Sequence, residues 1–305
     1  MIKVNLMTSF VISGGYKRAA EHLNNNIPEN VGVELYGFFM DDFRRMAKIR
    51  GDLINDALLN FTTAEIMASL HDRPEAVEWL ANDIVQTFNG VNIQIFSIAT
   101  YIPDLLKVND KKRQEFGKNA LKFIMIVTAK INEIYLAQNK PGLSVIELVA
   151  GNLTEDFHAL NYSHDDAQAT IRLWEPQQAF DILLSALNDV MQIKFAGESN
   201  LRLAIELEPG PFFALKNQAA LSLLVKSIKE YEDHELLPKN RVGLNLDIAH
   251  WSLAGLGPDD IPGSVGKRIL HAHISDHGIG HLGDAGVGTV PRGQHPPGAS
   301  ASEWL

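Results

Sequence analysis

Apolar and polar residues alternate along several short stretches of the chain, and longer stretches with apolar residues three and four positions apart lie between them. Alternation is typical of strands with one face on a core, whereas the wider spacing is typical of helices. The predicted strands are residues 3–9, 31–37, 92–98, 143–149, 202–208, 242–248 and 269–275, and the clearest helices are residues 110–138, 176–193 and 218–231. This order predicts an α/β fold with a parallel sheet, as in a TIM (β/α)8-type barrel.

The stretch from 51 to 91 has a less regular pattern. Residues 57–61 fit a short strand or part of a helix, and residues 75–87 fit a helix. With only the seven strands above, the barrel lacks its eighth strand and last helix. If residues 57–61 form a strand, eight strands are present in an unusual order. The first interpretation is favoured, and it predicts an open sheet edge that a homo-oligomer contact, another partner or a longer version of the chain would cover.

The end of the chain differs in composition from the rest. Residues 289–302 are rich in Pro, Gly, Ser and Ala, and no further strand pattern follows them. We therefore expect residues 1–290 to form one barrel domain and residues 291–305 an irregular tail. Residues 153–175, rich in His, Asp, Asn and Tyr, are expected to form a long loop at the carboxyl end of a strand, where barrels carry functional residues.

Composition and charge indicate the cellular compartment and exclude some classes of binding partner. The net charge of −10 disfavours tight binding to nucleic acid or to an anionic membrane. The absence of cysteine excludes disulfides and thiolate chemistry, and the amino end lacks a long apolar signal core. No apolar run approaches the roughly 20 residues that span a bilayer. These features predict a cytoplasmic protein that binds neither nucleic acid nor a membrane.

Three predicted strands place acidic and histidine side chains on one face. The fifth strand carries Glu206 and Glu208 opposite its leucines, the sixth carries Asp247, and the seventh carries His271 and His273. Because parallel strands end at the same edge of a sheet, we expect these side chains to converge there. Carboxylate and imidazole ligands together suit Mn, Mg, Co or Zn, so the pattern predicts a divalent-metal site.

Histidines are concentrated in the same part of the chain. Five of the eleven lie between His250 and His281, and the slightly longer stretch 247–284 also carries Asp247, Asp276 and Asp284. Imidazole is a common metal ligand and the usual acid/base group near neutral pH. The cluster therefore favours a metal site or an acid/base site over an even scatter of surface histidines.

These motifs together resemble the xylose isomerase-like TIM-barrel superfamily, which contains sugar isomerases, ketose epimerases, inosose dehydratases and relatives of family 2 AP endonucleases. The resemblance is carried by Ile205–Gly210, Leu246–His250, His271–Asp276 and His281–Gly288, with weaker support from Gly32–Leu35 and Thr100–Asp104. Each motif is short, and their order, spacing and shared face make the combination specific. Only the region 201–288 carries that specificity.

The resemblance implies a metal held by Glu206, Asp247 and His273. The family's fourth ligand, a Glu on the eighth strand, has no counterpart here, since Glu303 does not lie on a recognisable strand. His250, three residues after Asp247, resembles the family's substrate-contacting or second-metal histidine and is counted among the catalytic residues. The implied metal set is thus incomplete.

The reaction that the resemblance implies is proton abstraction next to a carbonyl of a sugar or keto-cyclitol, with the metal polarising the carbonyl. Glu206 and Glu208 are the carboxylates available as the base. Glu34, Asp276 and His281 are expected to contact the substrate or to support the metal ligands. Isomerase, epimerase and dehydratase reactions share this chemistry and stay unresolved at this point.

Two other functional classes compete with this interpretation. A non-catalytic or truncated metal-binding barrel would explain the missing fourth ligand. A phosphodiester hydrolase like the AP endonucleases would need histidines on the third and fourth strands, and residues 93–98 and 143–149 contain none. The acidic net charge also disfavours the hydrolase.

Overall fold

The computed structural model describes residues 4–8, 14–24, 31–106, 110–150, 176–192, 201–208 and 213–274. Seven strands lie within these ranges: β1 (Val4–Met7), β2 (Val31–Tyr36), β3 (Ile95–Tyr101), β4 (Val145–Val149), β5 (Arg202–Glu206), β6 (Val242–Asp247) and β7 (Ile269–His273). Nine α-helices lie in the same ranges: α1 (Gly15–Leu23), α2 (Met40–Ile49), α3 (Thr63–Leu70), α4 (Pro74–Asn89), α5 (Lys111–Ala137), α6 (Pro176–Met191), α7 (Gln218–Asp233), α8 (Ile248–Leu253) and α9 (Gly263–Gly266).

The predicted strands and the three clearest helices are present; one strand is shifted, and one alternative is wrong. Strand β3 begins and ends three residues later than predicted, because the chain leaves α4 through a turn in which Asn92 has a positive φ of 57°. Residues Leu58–Asn60 form a 3-10 helix, so the alternative with a strand at 57–61 is wrong. The loop at 153–175 and the tail at 291–305 lie outside the described residues.

Helix α3 was missed by the sequence pattern, although its start carries a recognisable signal. Thr62 and Glu65 form a capping box, in which the Thr62 hydroxyl accepts from the Glu65 amide and the Glu65 carboxylate accepts from the Thr62 amide at 2.9 Å. A Thr followed three residues later by a Glu satisfies two helix-end donors at once. No helix within the described ranges combines the length and apolar character that a membrane span requires.

The chain divides into two compact units. The first unit comprises Met1–Thr100, Phe116–Glu147 and Gln192–Arg202, and the second comprises Tyr101–Glu115, Leu148–Met191 and Leu203–Leu305. The assignment of residues 1–290 to a single barrel domain stays a prediction.

In the first unit, strands β1, β2 and β3 are parallel neighbours. Val4 lies opposite Val31, and Val33 lies opposite Ile95. Helix α1 packs against both α2 and α4. Parallel strands of this kind are buried on both faces, and β2 accordingly has four consecutive buried residues.

Three side chains from α1, α2 and α4 form a cluster that we name the Arg45 cluster: Tyr16, Arg45 and Asp83. The Tyr16 hydroxyl donates to Asp83, and Arg45 Nη1 donates to Asp83 Oδ1 at 3.0 Å. The guanidinium also lies over the Tyr16 ring, 4.9 Å from its centroid. Burial, together with the Asp83 charge, raises the pKa of Tyr16 far above its usual range, so its hydroxyl stays a donor.

In the second unit, strands β5, β6 and β7 are parallel neighbours and α6 packs on α7. An ion pair joins α7 to the start of β7, since Arg268 donates to both carboxylate oxygens of Glu232 at 2.7 and 2.6 Å. Burial alone would raise the pKa of Glu232, but the hydrogen bonds from Arg268 and from the Asn240 amide outweigh it and hold the pKa below its ordinary value.

Candidate metal centre

The candidate site lies at the carboxyl ends of β5, β6 and β7, within the second unit. Strand β5 ends at Glu206, β6 at Asp247 and β7 at His273. Asp247 lies opposite His273, and Glu206 lies opposite Asn245. The predicted convergence of the three strand ends is therefore present in the structure.

A register shift between Leu244 and Asn245 brings Asp247 and His273 level with each other. Before the shift, Leu244 pairs with Ile269; an unshifted register would have placed Asp247 beside Ala272, whose side chain points to the other face. Gly243 permits the close pairing, because a Cβ there would lie 2.4 Å from the Arg268 carbonyl oxygen.

The three predicted ligand residues lie close together. His273 Nδ1 lies 3.3 Å from Glu206 Oε1 and 3.7 Å from Asp247 Oδ2. Two ligand atoms that bind one ion at about 2.1 Å lie roughly 3.0–3.5 Å apart, so the first distance is within this range and the second is slightly longer. The donor set of two carboxylates and an imidazole is one that divalent metals accept, so these residues fit a metal ion.

Burial of the carboxylates strengthens this fit. Glu206 is 5% exposed and Asp247 is 1% exposed. Within the described part of the chain, Glu206 contacts Asn245, His250 and His273, none of which carries the permanent charge of a lysine or arginine. Since a buried carboxylate without a compensating charge is strongly unfavourable, the arrangement calls for a cation or a protonated histidine.

The Asp247-to-His250 spacing has a local structural cause. Asp247 is the N-cap of α8, and its Oδ1 accepts from the His250 amide at 2.9 Å. This bond fixes the carboxylate and leaves Oδ2 on the side of His273. A strand that ends in a capping aspartate therefore also delivers His250, three residues on, to the same site.

His250 lies close to two glutamates: Glu206, the last residue of β5, and Glu208, two residues further along the chain. Its Nδ1 lies 3.1 Å from the Leu207 carbonyl, to which it donates, and 3.6 and 3.8 Å from the carboxylates of Glu206 and Glu208. Donation from Nδ1 makes Nε2 the lone-pair nitrogen of the neutral ring. Ligand atoms of Glu206, Asp247 and His250 all lie within 4.8 Å of one another, so His250 is a further candidate ligand.

Asn245 is a member of the site that sequence reasoning missed. It is 0% exposed, and its Nδ2 lies 3.1 Å from Glu206 Oε1 and 3.0 Å from His273 Nδ1. The alternation of β6 already placed Asn245 on the same face as Asp247, which was the available signal. A polar side chain buried on that face needs hydrogen-bond partners there, which would have marked Asn245 as a candidate site residue.

A cavity adjoins the two glutamates. Glu206 and Glu208 contribute its carboxylates, and most of its remaining wall is apolar, with Phe180, Leu183 and Phe213 among the lining side chains. Apolar walls limit the access of water and strengthen charge interactions inside the cavity. The glutamates therefore face a space in which their charges act strongly on any polar molecule that enters.

Tyr101, at the carboxyl end of β3, belongs to the same unit and was not predicted as a site residue. Tyr101 is 43% exposed, and the partial burial of its hydroxyl raises the pKa, which the negative charges of Glu208 and Asp104 raise further. Tyr101 therefore remains a neutral donor near the more exposed of the two glutamates.

The remaining predicted residues are distributed as follows. His271 lies on β7 with its ring edge-on to that of His273, 5.1 Å between centroids. Glu34 is buried on β2 in the first unit. Asp276 and His281 lie outside the described residues. The roles assigned to all of these residues stay predictions.

No protein-family model and no curated protein sequence matches the chain. Among solved structures it is similar to the 3-keto-D-glucoside 4-epimerase YcjR from E. coli, with a TM-score of 0.51 and 8% identity over 90% of this chain and 80% of that one. It is also similar to the IolI protein with a bound zinc atom, with a TM-score of 0.55 and 14% identity over 96% of this chain and 78% of that one.

Identities this low establish a shared fold and no more. The chain shares the fold of these two proteins, which confirms the predicted TIM-barrel fold class.

Proposed function

We propose that the protein is a divalent-metal-dependent isomerase or epimerase that acts on a sugar or keto-cyclitol by removing a proton next to a carbonyl. The observation that carries this proposal is the convergence of Glu206, Asp247 and His273 at three neighbouring strand ends. The names of the two structural neighbours support it, since one is an epimerase of a 3-keto-glucoside and the other binds zinc.

Glu206, Asp247 and His273 would hold the metal, with His250 beside them as a further ligand or a substrate contact. A divalent cation supplies charge that polarises a substrate carbonyl and makes the neighbouring proton more acidic. The set of oxygen and nitrogen ligands suits Mn, Mg, Co and Zn.

Glu208 is the carboxylate best placed to move the proton. Its side chain is 20% exposed and lines the cavity, whereas Glu206 is almost fully buried among the candidate ligands. In the proposed reaction, Glu208 takes the proton from the carbon next to the carbonyl and the bonding pair moves into the carbon skeleton. That pair forms a carbon–carbon double bond while the carbonyl pair moves onto its oxygen. Isomerisation follows when the proton returns to the former carbonyl carbon and the hydroxyl proton moves to the other oxygen, and epimerisation follows when water supplies a proton to the opposite face of the first carbon.

His250 and the apolar wall prepare Glu208 for this role. His250 is anchored to the Leu207 carbonyl and lies 3.8 Å from the Glu208 carboxylate, so the ring restricts where that carboxylate points. Phe180 and Phe213 limit the water around the carboxylate. A base with few water contacts and a fixed orientation is a more effective proton acceptor.

Deuterium exchange tests the proposal. The protein, loaded in turn with Mn²⁺, Co²⁺, Mg²⁺ or Zn²⁺, is incubated in D₂O with a panel of ketoses and keto-cyclitols, and deuterium next to the carbonyl is followed by NMR. We expect exchange with at least one substrate. Glu208→Gln should lower the exchange rate by about 100-fold or more and retain the metal, because it removes only the proton acceptor.

Glu206→Gln should lose both metal and exchange, and Glu230→Gln, an exposed carboxylate on α7, is the matched control that should change neither. A wild-type protein that binds metal and exchanges no proton on any member of the panel would contradict the enzymatic proposal. That result would favour the non-catalytic metal-binding barrel.

A further inference from the structure

We propose that the substrate is a 1-deoxy ketose, in which a methyl group is bonded to the carbonyl carbon, and that this methyl group occupies the cavity beside Glu206 and Glu208. The inference rests on the proposed function of the site and names the substrate class that the site selects. It also favours epimerisation, because isomerisation to an aldose requires a hydroxyl group on the carbon that is here a methyl group.

The inner wall of the cavity is apolar. Leu106, Phe180 and Leu183 line it and are at most 2% exposed. Among the described residues, the two glutamates are the only lining residues with a polar side chain. Glu206 accepts from Asn245 and would bind the metal, so its carboxylate already has partners. A hydroxyl group against the apolar wall would lose its hydrogen bonds to water, whereas a methyl group is stabilised by the same burial.

The cavity is small. It has room for about one group of the size of a water molecule or a methyl group. A whole sugar does not fit inside, so only one substituent of the substrate enters. Of the described lining residues, Val149, Glu208 and Phe213 are the partly exposed ones, and they therefore mark the opening. The rest of the substrate lies outside this opening.

The two glutamates indicate which substituent enters. Glu206 would hold the metal that polarises the carbonyl, and Glu208 would take the proton from the neighbouring carbon. Because both residues line the same small cavity, a group inside it lies close to the carbonyl carbon and to the carbon that loses the proton. In a 2-ketose that loses the proton from carbon 3, this group is carbon 1.

Backbone hydrogen bonds hold the walls of the cavity in place. The Glu208 amide donates to the Leu215 carbonyl at 2.9 Å, and the Ile102 amide donates to the Val149 carbonyl at 3.0 Å. The 3-10 helix Pro103–Leu106 packs against α6. Walls fixed in this way keep the cavity narrow, so that it selects its occupant by size and polarity.

Matched pairs of sugars test the proposal. Each pair is a ketose, namely D-fructose, D-tagatose, D-psicose or D-sorbose, and its 1-deoxy form. The metal-loaded protein is incubated with each sugar in D₂O, and replacement of the hydrogen on carbon 3 by a solvent deuteron is followed by NMR. In the pair with the fastest exchange, we expect kcat/KM to be about 10- to 100-fold higher for the 1-deoxy form, the range for one hydroxyl group in an apolar pocket.

6-Deoxy-D-fructose, which carries its methyl group at the other end of the chain, should show no such gain over D-fructose. Equal or higher kcat/KM for the parent ketose in the fastest pair would overturn the proposal.

A change in the cavity wall gives a second readout. Ala214→Ser adds a hydroxyl group to the wall with little change in volume, so we expect the preference for the 1-deoxy form to fall about 10-fold. Comparison of variant with wild type cancels any difference in ring opening between the two sugars. The matched control is Ala186→Ser, a buried position on α6 that does not line the cavity, and it should leave the preference unchanged.

If Ala214→Ser does not fold, Ala150→Ser makes the same change at another lining position. An unchanged preference in a folded wall variant would overturn the proposal.

Binding separates this inference from the proposed function. Calorimetry of the metal-loaded protein with both sugars of a pair requires no proton transfer. Tighter binding of the 1-deoxy form without exchange would support the substrate class and contradict the enzymatic proposal. Exchange without any preference for the 1-deoxy form would support the enzymatic proposal and overturn the substrate class. A protein that neither binds nor exchanges any member of the pairs would contradict both.

Discussion

Two clusters, one in each compact unit, differ in how a carboxylate is balanced. In the first unit, Asp83 accepts hydrogen bonds from both Arg45 and Tyr16, so its charge is balanced by a guanidinium and a neutral donor. In the second unit, Glu206 is more deeply buried and its described contacts are two histidines and an amide. A balanced cluster stabilises the fold, whereas an unbalanced one creates a demand for a cation.

This difference helps to distinguish buried charges that serve function from those that stabilise the fold. Arg268 and Glu232, which belong to the same unit as the site, form a balanced pair with bidentate geometry. Burial of acidic groups is therefore not the distinguishing feature of the site. The feature is that Glu206 contacts two histidines and an amide, where a lysine or arginine would otherwise neutralise it.

Breaking the Arg45 cluster should have the largest effect on stability. Arg45→Met leaves Asp83 with one donor and no counter-charge, and we expect a loss of about 3 kcal/mol in the free energy of unfolding. Denaturant titration measures it. Arg44→Met, which removes an exposed pair with Asp41, should lose less than about 1 kcal/mol. Equal losses in the two variants would contradict the assignment of the Arg45 cluster as a stabilising element.

Removing one charge from the site should alter the response to metal. Asp247→Asn keeps a residue that can cap α8 and removes a candidate ligand. At a zinc concentration about 100 times the dissociation constant, the wild type should gain about 2.7 kcal/mol in the free energy of unfolding, and the variant should gain almost nothing. Asp259→Asn, in an exposed 3-10 helix, is the control. Equal zinc stabilisation of the Asp247 variant and the wild type would exclude Asp247 as a ligand.

The Arg268 pair gives a smaller effect that depends on pH. Arg268→Met should cost about 2 kcal/mol at neutral pH, because the Asn240 amide still donates to Glu232 in the variant. Because the folded-state pKa of Glu232 is depressed, its stabilisation is present above the unfolded-state pKa and is lost as the pH falls through the folded-state pKa.

The difference in stability between wild type and Arg268→Met should thus shrink when unfolding is measured at progressively more acidic pH. Lys229→Met, which removes the exposed pair with Asp233, should show no measurable change at any pH. A difference for Arg268→Met that stays constant with pH would show that Glu232 is not the group involved.

Much of the site could be predicted from the sequence, because each strand carries its polar residues at alternate positions. That alternation placed Glu206, Asp247 and His273 on a common face without any knowledge of pairing. The pairing itself could not be predicted, since the register shift at Leu244 and Asn245 depends on how β6 and β7 meet. The contacts of Asn245 follow from that register and were missed for the same reason.

Local backbone conformation limited the fold prediction in a similar way. The apolar run that begins near Asn92 resembles a strand from its first residue, yet the positive φ of Asn92 delays β3 until Ile95. Residues Leu58–Asn60 are apolar enough for a strand and form a 3-10 helix. Short apolar runs do not distinguish these alternatives without tertiary context.

The central claim is that Glu206, Asp247 and His273 hold a divalent metal. Metal content by mass spectrometry, on protein purified without added metal, tests it most directly. The comparison is with an Asp247→Ala, His273→Ala double variant. We predict about one Mn, Zn, Co or Mg per chain in the wild type, lost in the variant. Absence of metal from both proteins, even after reconstitution, would contradict the claim.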